Sequence, residues 1–260
     1  MKDLTIIIPV HECNEQVKTL LKKAIRSVDE NISIQISCPK SLYDELKNVT
    51  ERKNMIISTV DENSNTDFCT LVNDSVLKIK TKWFSILEFD DEYTDIWFKN
   101  VEKYIRYKPD VSVFLPLEEI IRFNEDNFIG YGNEAPWATS FSNEIGYIDN
   151  DCLQQYFDFY LTGSVFSTED WINQGGLKPS IKISFWYEFL LRLTNNGKKI
   201  FVIPKLGYKH YVERENSLYD IYKKTIKEEE SSWWFNLAKQ ESVYKKDRNK
   251  TYENSNKKGV

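Results

Sequence analysis

Between Leu4 and Leu117 the apolar residues switch spacing again and again, and this alternation constrains the fold more than any other feature. Leu4 to Val10 is a β-branched run closed by Pro9, which reads as a buried strand. From Asn14 to Val28 the apolar positions Val17, Leu20, Leu21, Ala24, Ile25 and Val28 recur at helical spacing. The pattern repeats along the segment. Strands are expected at Ile32 to Ser37, Met55 to Val60, Trp83 to Phe89 and Val111 to Leu117. Helices are expected at Leu42 to Val49, Phe68 to Lys80 and Ile96 to Tyr107. Strand-helix alternation of this kind predicts an α/β fold with a mostly parallel central sheet and helices on both faces.

The second half is harder to punctuate. Glu118 to Tyr160 is rich in Asn, Gly and aromatics and reads as irregular chain that shapes a binding pocket. Beyond it we expect a strand at Leu161 to Phe166, a helix at Trp186 to Asn195 stopped by Asn196-Gly197, and a short strand at Lys199 to Ile203. A C-terminal helix from Tyr219 to Tyr244 carries Trp233 and Trp234. There is no internal repeat. The division expected is one domain over residues 1–218, a helical extension over 219–246 that could pair two copies, and a disordered polar tail over 247–260.

Composition narrows the function. With 41% hydrophobic and 14% aromatic residues the chain can bury a large core. A net charge of −5 argues against an extended nucleic-acid surface. No apolar stretch reaches membrane-spanning length and the start lacks a leader pattern, so a cytoplasmic location is expected. The four cysteines, Cys13, Cys38, Cys69 and Cys152, are widely spaced and read as reduced thiols.

The chemistry concentrates in "WFSILEFDDEYTD", where an apolar run ends in Glu88, Asp90, Asp91 and Glu92. In open parallel sheets ligands bind beyond the carboxyl ends of strands. Alternation along the strand would turn Glu88 and Asp90 to one side, facing an oxygen-coordinated divalent ion. The competing reading is a solvated helix N-terminus, where acidic residues complement the helix dipole.

Several segments together resemble family 2 glycosyltransferases of the GT-A fold: "LTIIIPVHECNEQVKTLLKKAIRSV", "TLVNDSVLKIKTKWFSILEFDDEYT" and the stretch from "LTGSVFSTEDW" to "GYKHYVERENSL". The resemblance spans roughly residues 3 to 218. It implies transfer of a sugar from a nucleotide-diphosphate donor, a UDP-sugar, with inversion, aided by Mn2+ or Mg2+. It places Pro9, Val10 and Glu12 against the nucleotide, and Asn73 in the Asn-containing helix of the donor site. Asp90, with Glu88 as an unusual first acid, would hold the metal, His210 would be the late metal contact, and Arg214 and Ser217 would belong to a loop folding over the phosphates. His11 falls on the same side.

Two features depart from that pattern. The acidic pair usual after the second strand is replaced by Ser37, Cys38 and Pro39, which shifts the base-reading role to Asp61 and Glu62. The catalytic acidic pair aligns with Phe185-Trp186, which cannot take a proton. Glu188 is the nearest substitute, followed by Asp170 and Glu169, whose plainer reading is helix capping. Trp186 and Trp137 could stack on sugar, although a buried aromatic is the default for each. A GT-A-fold binding module without turnover is therefore the alternative. A nucleotidyltransferase fits less well, because "PVHECNEQ" has no glycine.

Overall fold

The computed structural model describes residues 1, 3–49, 52–61, 66–142, 144–226, and 232, 233, 236, 237, 239 and 240. The strands are β1 (Leu4–Pro9), β2 (Ser33–Pro39), β3 (Met55–Val60), β4 (Trp83–Ile86), β5 (Glu92–Tyr93), β6 (Val111–Arg122), β7 (Asn127–Gly132), β8 (Tyr147–Ile148), β9 (Val165–Ser167) and β10 (Lys199–Val212). The helices are α1 (Glu15–Arg26), α2 (Tyr43–Leu46), α3 (Phe68–Lys78), α4 (Trp97–Tyr107), α5 (Asn150–Gln155), α6 (Thr168–Asn173), α7 (Phe185–Asn195) and α8 (Leu218–Thr225).

All ten strands join one sheet, ordered β3-β2-β1-β4-β9-β6-β10-β5, with β7 beside β6 and β8 beside β10. The run β3-β2-β1-β4 is parallel, as the alternation predicts. The rest is mixed. Strand β9 enters between β4 and β6 antiparallel to both, while β6 and β10 pair parallel to each other. Period-two alternation divides β1 between two cores. Leu4, Ile6 and Ile8 pack with α1 and α4, while Ile7 packs with α3, α6 and α7 on the other face. Helix α1 starts where Asn14 accepts the Val17 N–H at 2.9 Å, and it buries Val17, Leu21, Ala24 and Ile25.

The longest departure from expectation concerns β6 and β10. The strands expected from the sequence stop at Leu117 and, just before Pro204, at Ile203, yet both run on, to Arg122 and Val212, with Pro116 and Pro204 inside them. The β10–β6 register slips between Val202 and Leu206 and again before Tyr208, so the prolines fall where ladder bonds are already interrupted. Beyond the slip, Tyr208–Val212 pairs with Glu118–Arg122, and β7 folds back on β6 as a hairpin. Part of the segment expected to be irregular, residues 118–122, 127–132 and 147–148, is therefore sheet. At the C-terminus the structure shows α8, and residues 232, 233, 236, 237, 239 and 240 are again helical; the rest of the expected helix beyond α8, Trp234 included, and the 247–260 tail lie outside the described residues. Among the described residues no helix is long and apolar enough to cross a membrane.

Candidate active site

Strand β4 stops at Ile86, and the chain turns at once, with the Asp91 N–H donating to the Glu88 carbonyl at 3.1 Å. The strand alternation expected through Phe89 is thereby lost, and Asp91, not Asp90, joins Glu88. Strand β5 then pairs antiparallel with β10, Tyr93 against Tyr208 and Glu92 against Lys209. One residue further in that register, His210 meets Asp91. Its Nδ1 lies 2.9 Å from Asp91 Oδ2, while the Tyr211 N–H donates to Asp91 Oδ1 at 2.7 Å. Ligand atoms of Glu88, Asp91 and His210 lie within 4.8 Å of one another.

Asp90 turns the other way. Its Oδ2 accepts from Arg214 Nε at 2.5 Å, and Arg214 Nη1 reaches Glu12 Oε1 at 3.1 Å. The Arg214 guanidinium also lies over the Phe89 ring, 4.9 Å from its centroid. The site thus has two compartments side by side: a Glu88–Asp91–His210 group, and an Asp90–Arg214–Glu12 ion-pair chain.

The charges are poorly compensated in the first. Burial, reinforced by Asp91, raises the Glu88 carboxyl to about 8. Burial alone would lower the His210 imidazole, but Asp91, and behind it Glu118 and Glu88, hold it up at about 10. Asp90 is raised to about 6 by burial and Asp91 against the pull of Arg214. His11, half-buried beside Glu12 and Arg214, is lowered to about 4, chiefly by desolvation, and stays neutral. Glu118 is fully buried on β6, and neither of its carboxylate oxygens has a hydrogen-bond partner. Sequence reading missed both Asp91 and Glu118. Asp91 was visible in "FDDEY" as the second acid. Glu118 carried no signal, because its burial depends on β6 continuing past Leu117.

These residues suit a divalent cation. Carboxylates with one imidazole are the donor set of Mn2+ or Mg2+, and crowded, unpaired acids in a partly buried pocket are what such an ion relieves. Both groups open on a cleft of about 1060 Å³ whose wall includes Pro9, His11, Glu88, Asp90, His210 and Arg214. Ser217 lines it too, with its Oγ accepting the Asp220 N–H at 3.1 Å as the cap of α8.

The remaining sequence candidates lie elsewhere. Val10 is wholly buried and points into the core. Asp61 stands exposed just past β3, outside the cleft wall, and Glu62 lies outside the described residues. Asn73 is a clamp: its amide donates to the Leu177 carbonyl at 2.7 Å and accepts the Leu177 N–H at 2.9 Å. Gly176, at φ +67°, leaves the space in which that amide sits.

Glu188 does not face the cleft. It is buried, accepts two bonds from Arg192 at 2.8 and 2.7 Å, and pairs with Lys178 at 3.0 Å. Arg192 in turn donates to the Gly176 carbonyl at 2.8 Å. A carboxylate so committed braces the Gly175-Gly176 turn and is not a free base, because the helical register turns it away from Trp186, which does line the cleft. Asp170 pairs with Lys198 at 2.5 Å in the first turn of α6, while Glu169 is exposed there, and neither lines the cleft. Trp186 stacks on Phe166, and Trp137 donates to the Val202 carbonyl away from the cleft.

No protein-family model and no curated protein sequence matches the chain. Solved structures do. S. aureus TarS 1–349 in complex with UDP-GlcNAc superposes with a TM-score of 0.69 at 12% identity, over 91% of this chain and 65% of that one. The mannosyltransferase PcManGT from Pyrobaculum calidifontis, in complex with GDP-Man and Mn2+, superposes with a TM-score of 0.60 at 11% identity, over 82% and 58%. The chain therefore spans less than two thirds of the length of these neighbours. The fold is that of GT-A glycosyltransferases.

Proposed function

We propose that the protein is a glycosyltransferase that takes a sugar from a nucleotide-diphosphate donor, in the manner of family 2 enzymes. The observation that carries this reading is the convergence of Glu88, His210 and Arg214 on one cleft beyond the ends of β1 and β4, with Asp91 buried behind His210, where a GT-A fold receives its donor. The neighbours crystallised with UDP-GlcNAc and with GDP-Man and Mn2+ support the donor class. Glu88, Asp91 and His210 would hold Mn2+ or Mg2+, which supplies charge neutralisation for a leaving diphosphate. Arg214, now spent on Asp90 and Glu12, is placed to turn to the diphosphate oxygens, a bidentate match for the guanidinium.

Inverting transfer needs a carboxylate to take the acceptor's proton. Among the acids lining the cleft, Glu88 belongs to the cation group, Asp90 is paired with Arg214, Glu213 with Arg122 and Asp220 with Lys224, and Glu215 follows Arg214 directly in the chain. Asp158 remains. It has no hydrogen bond or ion pair among the described residues and sits at the apex of a tight turn closed by Phe159 N–H to the Phe157 carbonyl at 3.0 Å. That turn is rigidly seated, since Asn133 bonds both the N–H and the carbonyl of Tyr160. Asp158 would accept the hydroxyl proton as the acceptor oxygen bonds to the anomeric carbon. The bond to the diphosphate oxygen breaks, and its electron pair leaves with the nucleoside diphosphate.

The second reading, a binding module without turnover, is favoured by Trp186, packed on Phe166 where a base is expected. Calorimetry with UDP, UDP-GlcNAc and GDP-mannose, with and without Mn2+, followed by donor hydrolysis, separates the readings. Binding with hydrolysis that falls at least a hundredfold in Asp158→Asn supports the transferase. Binding without turnover of any donor supports the module, and no binding at all overturns both.

A further inference from the structure

Glu118 is the most anomalous polar group in the described chain: wholly buried, with both carboxylate oxygens lacking a hydrogen-bond partner. Buried polar atoms are nearly always satisfied, so an orphaned one marks a missing ion or water. The sheet shows which way it faces. In the parallel β6–β10 register Glu118 lies beside Tyr208, and His210 follows two residues on, so all three project from one face. The Tyr208 hydroxyl on that face accepts the Glu88 N–H at 3.1 Å. Gly132, opposite Glu118 on β7, leaves room for the Tyr160 ring, whose centroid lies 5.4 Å from that of His210. Glu118 is thus walled in by Tyr208, Tyr160 and the Glu88–Asp91–His210 group.

Asp91, by contrast, already uses one oxygen on the Tyr211 N–H and the other on His210 Nδ1. It has the place of a carboxylate that orients a ligating histidine. We propose that Glu118 is a member of the divalent-cation site, facing the side of the ion that Asp91 leaves open. Its oxygens do not fall within the 4.8 Å span shared by the other three, so it reaches the ion across one water and acts as a positioning residue. The inference rests on the cation-site part of the proposed function and needs no nucleotide.

The test uses the full chain with Mn2+ alone, followed by the electron paramagnetic resonance of free Mn2+ and by thermal unfolding in chelator. Glu118→Gln and Glu118→Met are compared with wild type. A loss of about 10- to 100-fold in Mn2+ affinity is expected for a residue of this class. The metal-free unfolding temperature should hold or rise, because an unpaired buried acid has been removed. Unchanged Mn2+ affinity in whichever variant folds overturns the proposal, as does a fall in metal-free stability with Mn2+ affinity intact. Wild type that binds no Mn2+ removes the cation site and this assignment with it, yet leaves a metal-free transferase standing if UDP-GlcNAc or GDP-mannose still binds. Glu118-dependent Mn2+ binding without nucleotide binding does the reverse.

Discussion

Glu188 and Glu118 are both glutamates out of reach of water, 2% and 0% exposed, and they behave in opposite ways. Glu188 is answered on every side by Arg192 and Lys178. Glu118 is answered by nothing, and its carboxyl is raised well above the usual range, first by burial and then, against the pull of His210, by Asp91 and Glu88. Satisfied charge holds the acceptor-side architecture together, whereas unsatisfied charge gathers where a cation and a diphosphate would enter. The same residue type is therefore fully paired in one place and unpaired in the other, and the unpaired one is where the proposed cation site draws its support.

The largest effect expected is on the structural side. Glu188→Ala leaves Arg192 buried without its carboxylate, and removing one partner of a buried pair costs about 3–5 kcal/mol. Denaturant unfolding should show that loss, with Mn2+ affinity unchanged in the folded fraction. A mild effect would mean that the Gln174 and Gly176 carbonyls already suffice for Arg192, and the contrast with Glu118 would weaken. On the other side, Asp91→Asn should lower Mn2+ affinity at least tenfold, about 1.4 kcal/mol, because the amide no longer holds His210 through a charged bond. Retained Mn2+ affinity would remove the cation site from this turn.

Acidity sharpens the comparison further. His210, at about 10 when folded against an ordinary 6.5, keeps a proton that the unfolded chain gives up. Its stabilising contribution is complete below pH 6.5 and is lost as pH rises toward 10. Glu88, at about 8 against 4.5, acts in the same direction between those two values. His11, lowered to about 4, works oppositely below 6.5. Above pH 6.5 the terms from Glu88 and His210 agree, so in chelator the unfolding temperature should fall between pH 6.5 and 10. The stabilisation gained on adding Mn2+ should grow over the same range, since the ion displaces those protons. A flat profile in chelator would mean that the acids are hydrated and ordinary.

Much of the donor half was legible because its strands are short, buried and cleanly punctuated; β3 is read from the sequence with its observed ends. The second half was not, because the expected strands stop at Leu117 and, before Pro204, at Ile203, and nothing local shows that β6 and β10 continue across a register slip. That one misreading hid the two facts behind the proposed cation pocket, the burial of Glu118 and the placing of His210 against Asp91. The choice of Asp90 over Asp91 had a different cause. Period-two reasoning holds only inside a strand, and β4 ends at Ile86, two residues before Glu88. The alignment of Phe185-Trp186 with the missing base also left Asp158 unread, since nothing local marks a loop aspartate as facing a cleft.

The smallest effect expected separates structure from chemistry in a single residue. Ser217 caps α8 through its hydroxyl and also lines the cleft beside Arg214. If capping is its whole role, Ser217→Ala should cost about 1 kcal/mol of local helix stability. Ser217→Asp should restore it, since aspartate caps at least as well. If the hydroxyl also meets a donor phosphate, the two variants part company: Ser217→Asp keeps the helix but sets a negative charge against the diphosphate, so UDP affinity falls below that of Ser217→Ala. Hydrogen exchange at the α8 amides reads the cap, and calorimetry with UDP reads the cleft. Equal UDP affinity in both variants would place Ser217 with Glu188, among the residues that hold the fold and leave the chemistry to others.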